Sequence, residues 1–177
     1  MRRGALFFTS MAVMVCVAAV VAFAVNITGC ATCGGNKGTT INGTASADNI
    51  AGGAGGDTIN GRDGNDQLYG DGGNDIVNGA GGNDRLDGGN GNNTLNAGAG
   101  NDFAIGNSGS DHVFLGDGSD IANVADLNPG NDVVDCGGDD GEPDFVILDQ
   151  NGDDDVLQNC VLDQSAPNFD RIRSLDF

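Results

Sequence analysis

Basic residues are few in this chain. Seven Lys and Arg stand against 26 Asp and Glu in 177 residues, a formal net charge of −19. All the acids and five of the bases lie beyond residue 24, so a chain cleaved there carries five bases against 26 acids, a net −21. Binding to phosphate needs the opposite sign, which excludes nucleic acid as a natural partner and favours divalent cations. Histidine is scarcer still: His112 stands alone. No nucleophile pairs with it, and no GxSxG, HExxH or P-loop pattern occurs. The expectation is therefore no enzyme and no small-molecule substrate. Aromatic residues make up 5% of the chain and tryptophan is absent. With so much charge of one sign, that composition is also found in disordered segments.

Residue order decides against disorder. A nine-residue period runs without a slip from Gly34 to Asn123, through units such as GGAGGDTIN, GRDGNDQLY and GDGGNDIVN. The sixth place is Asp in eight of ten units, at Asp48, Asp57, Asp66, Asp75, Asp84, Asp102, Asp111 and Asp120. The eighth place is aliphatic in all ten: Ile41, Ile50, Ile59, Leu68, Val77, Leu86, Leu95, Ala104, Val113 and Ala122. Random composition does not keep carboxylates and aliphatics in phase. A repeat this strict presents the same groups at the same place in every turn, and so dictates both an architecture and a ligand.

The motif is G-G-x-G-x-D-x-U-x, a calcium-binding nonapeptide repeat. On it the chain resembles the RTX (repeats-in-toxin) family, in which such repeats form a parallel β-roll. The fold class this implies is all-β, with two nonapeptides per coil of eighteen residues. Each unit divides into a six-residue turn and a three-residue strand xUx, whose middle residue alone points inward. Glycine supplies backbone angles that side chains forbid, so that carbonyl oxygens converge. Calcium takes six to eight oxygen ligands from carboxylates and carbonyls. The resemblance implies that several Ca2+ ions sit between successive turns, held by aspartates one coil apart. One edge of the roll then carries Asp48, Asp66, Asp84, Asp102 and Asp120. The other reads Thr39, Asp57, Asp75, Asn93, Asp111. Asn93 offers a neutral oxygen and Thr39 no carboxylate, so the second edge is expected to bind more weakly around both. Stacked carboxylates repel unless a cation lies between them, so folding is expected to depend on calcium.

The ends depart from the period. Arg2 and Arg3, an apolar run from Leu6 to Val21 and Ala22-Phe23-Ala24 form the pattern of a signal peptide, residues 1–24. The expectation is a secreted protein. Two alternatives stand beside it: a lipid on Cys30 of the lipobox-like Ile27-Thr28-Gly29-Cys30, and an uncleaved anchor, for which the apolar run is long enough. Residues 25–33 form a lead-in whose Cys30 and Cys33 pair locally if at all. It leaves no room for a catalytic domain before the ten-repeat roll at 34–123. Four cysteines remain after cleavage, an even number in an exported chain, which implies bridges. Cys136 and Cys160 would close a C-terminal loop. After Asn123 comes a three-residue insertion, Val124-Ala125-Asp126, then the unit-like LNPGNDVVD, with Asp132 as a further candidate ligand. Looser echoes follow at Asp144-Phe145-Val146 and Asp154-Asp155-Val156. Residues 124–164 are expected to form degenerate repeats and a cap that hides the last strand edge, and residues 165–177 a mobile tail.

Two further roles follow from an exported rod without chemistry. One is adhesion to a cell surface or matrix, by a partner the sequence does not name. The other is ice binding. The edge with the weaker ladder carries Asn42, Asn60, Asn78 and Asn96 at the ninth place and Thr40, Thr58 and Thr94 at the seventh. Ile76 interrupts that rank, and it ends in His112 and Phe114.

Overall fold

The computed structural model describes residues 26–27, 38–125, 130–137, 141, 143–148, 155–160 and 173–174, and among them there is no helix. Strands follow one another along the chain. β1 (Asn26–Ile27) and β2 (Thr40–Asn42) precede β3 (Asn49–Ala54), β4 (Thr58–Asp63) and β5 (Gln67–Gly72). Then come β6 (Ile76–Gly81), β7 (Arg85–Asn90), β8 (Thr94–Ala99), β9 (Phe103–Ser108) and β10 (His112–Asp117). The series closes with β11 (Ile121–Asn123), β12 (Val133–Asp135), β13 (Phe145–Leu148), β14 (Val156–Gln158) and β15 (Arg173–Ser174). Odd strands build one sheet and even strands the other, so the chain crosses between the sheets at every turn. Every pairing is parallel. The protein is a parallel β-roll, as the repeat implies.

The eighth-place aliphatics set the register. Ile50, Leu68, Leu86, Ala104, Ala122 and Val146 stack along the first sheet. Ile41, Ile59, Val77, Leu95, Val113, Val134 and Leu157 stack along the second. A one-residue slip would turn each of these ranks to water, so the pattern holds the coils in phase. Successive coils rise by about 4.8 Å. The irregular C-terminal units keep this register despite their longer connections, with Ala122 opposite Val146 and Val113 opposite Val134.

Two details of the expected unit are corrected. Strands β3 to β10 are six residues long rather than three. Pairing continues into the first places of the turn, where Gly53 lies opposite Asp71 and Ala80 opposite Gly98. The inward face is also two residues wide. Alternation puts the first place of the next unit on the same side as the aliphatic, and Ala97 and Leu115 there are fully buried. Glycine at that place leaves no side chain to reveal its direction in the sequence.

Cys136 and Cys160 are bridged, with Cα atoms 5.0 Å apart. They follow the paired strands β12 and β14, so the bridge ties the last two coils of the second sheet. Asn26–Ile27 of the lead-in pairs with β3, and Arg173–Ser174, within the stretch expected to be a mobile tail, pairs with β13. Cys30, Cys33 and the signal-like segment 1–24 lie outside the described residues.

Candidate metal centre

Sixth-place residues sit where each coil turns from one sheet to the other, and from Asp48 to Asp120 they are buried. Asp66, Asp75 and Asp120 are each 1% exposed. One carboxylate oxygen of each is committed to the backbone. On the first ladder, Asp66 Oδ1 accepts the Asp48 N–H at 2.8 Å and Asp84 Oδ1 that of Asp66 at 2.8 Å. Asp102 and Asp120 repeat the bond to Asp84 and Asp102, both at 2.7 Å. On the second ladder, Asp57 Oδ1 accepts from Thr39 N at 2.6 Å and from its hydroxyl at 2.9 Å. Asp75 accepts from Asp57 at 2.7 Å, Asn93 from Asp75 at 3.0 Å and Asp111 from Asn93 at 2.8 Å. These bonds join coil to coil without a metal.

The second oxygen is another matter. Oδ2 of Asp57, Asp66, Asp75, Asp84 and Asp102 is buried and has no protein partner. A buried carboxylate oxygen left unpaired is costly. Those of Asp57, Asp66, Asp75 and Asp84 face first-place glycines, Gly52, Gly61, Gly70 and Gly79, whereas the unit of Asp102 has Ala97 in that place. A Cβ built on Gly52 would lie 2.8 Å from Asp57 Oδ2 and 2.9 Å from the Gly70 carbonyl oxygen one coil on. On Gly79 it would lie 2.5 Å from both Asp84 Oδ2 and the Ala97 carbonyl oxygen. Carboxylate and carbonyl oxygens thus converge beside a glycine that leaves the space open. Hard oxygen donors of mixed type are the ligands calcium takes. Among the described residues no three His, Cys, Asp or Glu side chains cluster. Main-chain carbonyls must therefore complete any ligand set, and the turn supplies them. The fourth-place glycines make this turn at φ values such as +130° at Gly64 and Gly100, which L side chains rarely adopt.

Electrostatics point the same way. Burial raises the Asp66 carboxyl above its ordinary range, opposed by the hydrogen bond from Asp48 N–H and reinforced by the Asp48 charge. Burial likewise pushes Asp75 and Asp84 up to about 6, and Asp102 to about 7. The charged form is under-compensated by the protein alone, and a cation is what would correct it.

The ladders differ at particular residues. Asn93 keeps the Oδ1 bond but turns its Nδ2 back to the Gly91 carbonyl at 3.1 Å, so a donor stands where Asp places an acceptor. Asp48 accepts from Thr44 N at 2.5 Å and from the Thr44 hydroxyl at 3.2 Å, and so is better compensated than its successors. Asp132 joins the second ladder by accepting from Asp111 N at 2.7 Å. Asp144 and Asp155, noted in the sequence only as loose echoes of the repeat, extend the ladders, accepting from Asp120 N and Asp132 N at 3.0 Å. Their signal was present in the aliphatic two places on, Val146 and Leu157. Two further rows of bonds, one at each edge, were missed as well. Fifth-place Asn65, Asn74, Asn83, Asn92 and Asn101 each accept, through Oδ1, the N–H of the residue eighteen places on, at 2.9–3.2 Å.

A parallel solenoid with a buried carboxylate row at each edge defines a class, the cation-binding β-rolls. The family model for the RTX calcium-binding nonapeptide repeat matches residues 34–68, 52–86 and 87–122, and the chain belongs to that family. RTX repeats bind Ca2+ between turns, so calcium is the ligand of this roll. No curated protein and no solved structure matches the chain.

Proposed function

We propose that the chain is an exported protein whose direct activity is to bind several calcium ions and to fold as it does so. The observation that carries this reading is the row of buried, unpartnered Oδ2 atoms at Asp57, Asp66, Asp75, Asp84 and Asp102. With Asp48 and Asp111 these carboxylates are the proposed ligands, completed by turn carbonyls, and Asn93 marks a weaker place. Bound calcium supplies positive charge among them. The aspartates orient their second oxygens through the Oδ1 bonds, and first-place glycines keep the space beside Asp57, Asp66, Asp75 and Asp84 open. Ions that bind only the folded roll stabilise it, and several sites act together. Exported modules bind calcium at roughly 10⁻⁴–10⁻³ M, which suits the outside of a cell. Circular dichroism in a chelator, then in millimolar calcium, tests the reading. A complete β spectrum in the chelator that calcium leaves unchanged would sink metal-coupled folding.

A second reading, an adhesion rod stiffened by calcium, is favoured by one surface. The outward positions of β9, β11 and β13 carry Phe103, Ile105, Ile121, Phe145 and Ile147 on adjacent strands, with Ile121 39% exposed. Binding of the protein to the surface of its producing cells, compared with Ile121→Asp, checks it; equal binding removes the patch from the argument. Ice binding gains less support. The amides of Asn42, Asn60, Asn78 and Asn96 hydrogen-bond to one another at 2.6–2.9 Å, so part of their capacity is spent within the sheet. Absence of thermal hysteresis would close that option.

A further inference from the structure

The outward face of the first sheet changes character along the roll. Strand β7 presents Arg85 and Asp87 there. Their register partners on β9 are Phe103 and Ile105, followed by Ile121 and Asn123 on β11 and by Phe145 and Ile147 on β13. Five of these last six are apolar and none is charged, in a chain with 26 acids. Ile121 at their centre is 39% exposed, and the Arg85 guanidinium covers the Phe103 ring from one side at 5.0 Å. Contiguous apolar side chains on an outer face mark a contact surface.

This strip reads the same from either end. Phe and Ile on β9 are matched by Phe and Ile on β13, with β11 midway. Outside them stand β7, with Asp87, and β15, where Arg173 is the register partner of Ile147. A second copy turned by 180° about an axis parallel to β11 sets Phe103 against Phe145, Ile105 against Ile147 and Ile121 against Ile121. Asn123 meets Asn123, where two amides can bond each other. The place of Asp87 opposes that of Arg173, twice by symmetry. Such self-complementarity is what a two-fold contact requires, and two sheets stack face to face at about 10 Å with side chains interleaved. A two-fold along the roll instead would bury the Asn123 amides against Ile121.

We propose that the calcium-loaded roll pairs with a second copy of itself through this strip, the two rolls antiparallel and β11 on the two-fold axis. The pairing gives the patch of the adhesion reading its partner, another copy of the chain, and rests on the calcium reading above. Calcium enters through charge. Two chains of net charge −19 repel, and every bound ion offsets two of those charges, so copies approach only when loaded. The strip spans three strands, about 10 Å from β9 to β13. It falls short of the roughly 800 Å² per partner that stable complexes bury, so the dimer is weak and forms at roughly tens of micromolar and above.

Sedimentation equilibrium of the full chain in millimolar calcium, over a wide range of concentration, tests it, with calorimetry to confirm that each variant loads calcium. The mass should rise toward two chains with concentration. Ile121→Asp sets two carboxylates face to face on the axis and should weaken association by about thirtyfold or more. Asn42→Asp adds the same charge on the other sheet, keeps the acceptor for Asn60 Nδ2, and should leave association unchanged. In Ile121→Cys a short thiol cross-linker should join residue 121 to residue 121, whereas Asn49→Cys, at the far end of the same face, should not be joined to itself. The cross-link decides should Ile121→Asp fail to load calcium. A chain that binds calcium and stays monomeric throughout would overturn the pairing and leave the calcium reading intact; if it still binds cells through the patch, the partner is a cell surface. Association unchanged in Ile121→Asp would overturn the strip, and association as strong in chelator would overturn its link to calcium. Failure to bind calcium would sink the calcium reading, and the pairing with it.

Discussion

Asp84→Asn exchanges one oxygen for nitrogen at the centre of the continuous ladder. The variant keeps Oδ1, so the 2.8 Å bond from Asp66 N–H survives. Its Nδ2 takes the place of the unpartnered Oδ2, reproducing what Asn93 does on the other edge. In chelator near neutral pH the variant should keep at least as much residual β signal as the parent, because it removes a buried charge whose carboxyl is pushed up to about 6. In calcium the order should reverse. At a concentration near ten times Kd, each ion bound only to the folded roll contributes RT ln(1 + 10), about 1.4 kcal/mol. A carboxylate shared between two neighbouring ions therefore makes the variant less stable than the parent by about 1.5–3 kcal/mol in calcium. Asn93→Asp is the reciprocal change and should gain a site. Asp84→Ala and Asn93→Ala each strand a buried N–H, at about 1–3 kcal/mol, but only Asp84→Ala should also lower calcium stoichiometry. Circular dichroism in chelator, urea unfolding in calcium and titration calorimetry for the number of ions together read all four. Equal stoichiometry in Asp84→Asn and the parent would refute the assignment of Oδ2 to the ion, and equal titrations for the two alanine variants would refute the inequality of the edges.

Acid should partly replace calcium. Asp75, Asp84 and Asp102 have folded values raised to about 6, 6 and 7 from an ordinary 3.8, so the folded chain holds more protons across that window. The β content of the calcium-free chain should then fall as pH rises from about 4 to about 7, and a β signal in chelator that grows with pH would contradict the burial argument. Unreduced digests should contain Cys136 and Cys160 in one linked peptide, and reduction should destabilise by about 2–5 kcal/mol, loosening terminal coils before central ones; free thiols in protein recovered from the medium would contradict this. Ala80 sits at φ +83° and Arg62 at +86° in a place the motif reserves for glycine. Ala80→Gly should therefore stabilise by up to about 1 kcal/mol, and a loss in chemical denaturation would show that the strain is relieved otherwise.

Much of this protein was legible because its physics repeats. A carboxylate and an aliphatic in phase every nine residues permit one kind of coil, and Asp66, Asp84, Leu68 and Leu86 stand where that phase puts them. The two edges could be told apart for the same reason, since eighteen residues make a coil and alternate units share a side. Legibility failed where the informative atom was absent or the spacing changed. Glycine at Gly79 or Gly88 conceals that the first place faces inward, and only the burial of Ala97 and Leu115 makes this visible. Asp144 and Asp155 stand 24 and 23 residues beyond the N–H groups they accept, so no fixed period reaches them.

By itself, then, the sequence determined the solenoid, its coil length and its ion, because a strict period leaves one stacking that buries every aliphatic and lines up every carboxylate. Tertiary structure decided what each carboxylate oxygen does. Oδ1 is spent on a neighbouring N–H and Oδ2 is left over, a division that depends on how closely successive coils approach. It also decided the rank order in each sheet across irregular connections, Cys136 following Leu115 in one and Leu148 following Val124 in the other. That order is set by strand pairing through space, and spacing along the chain does not record it.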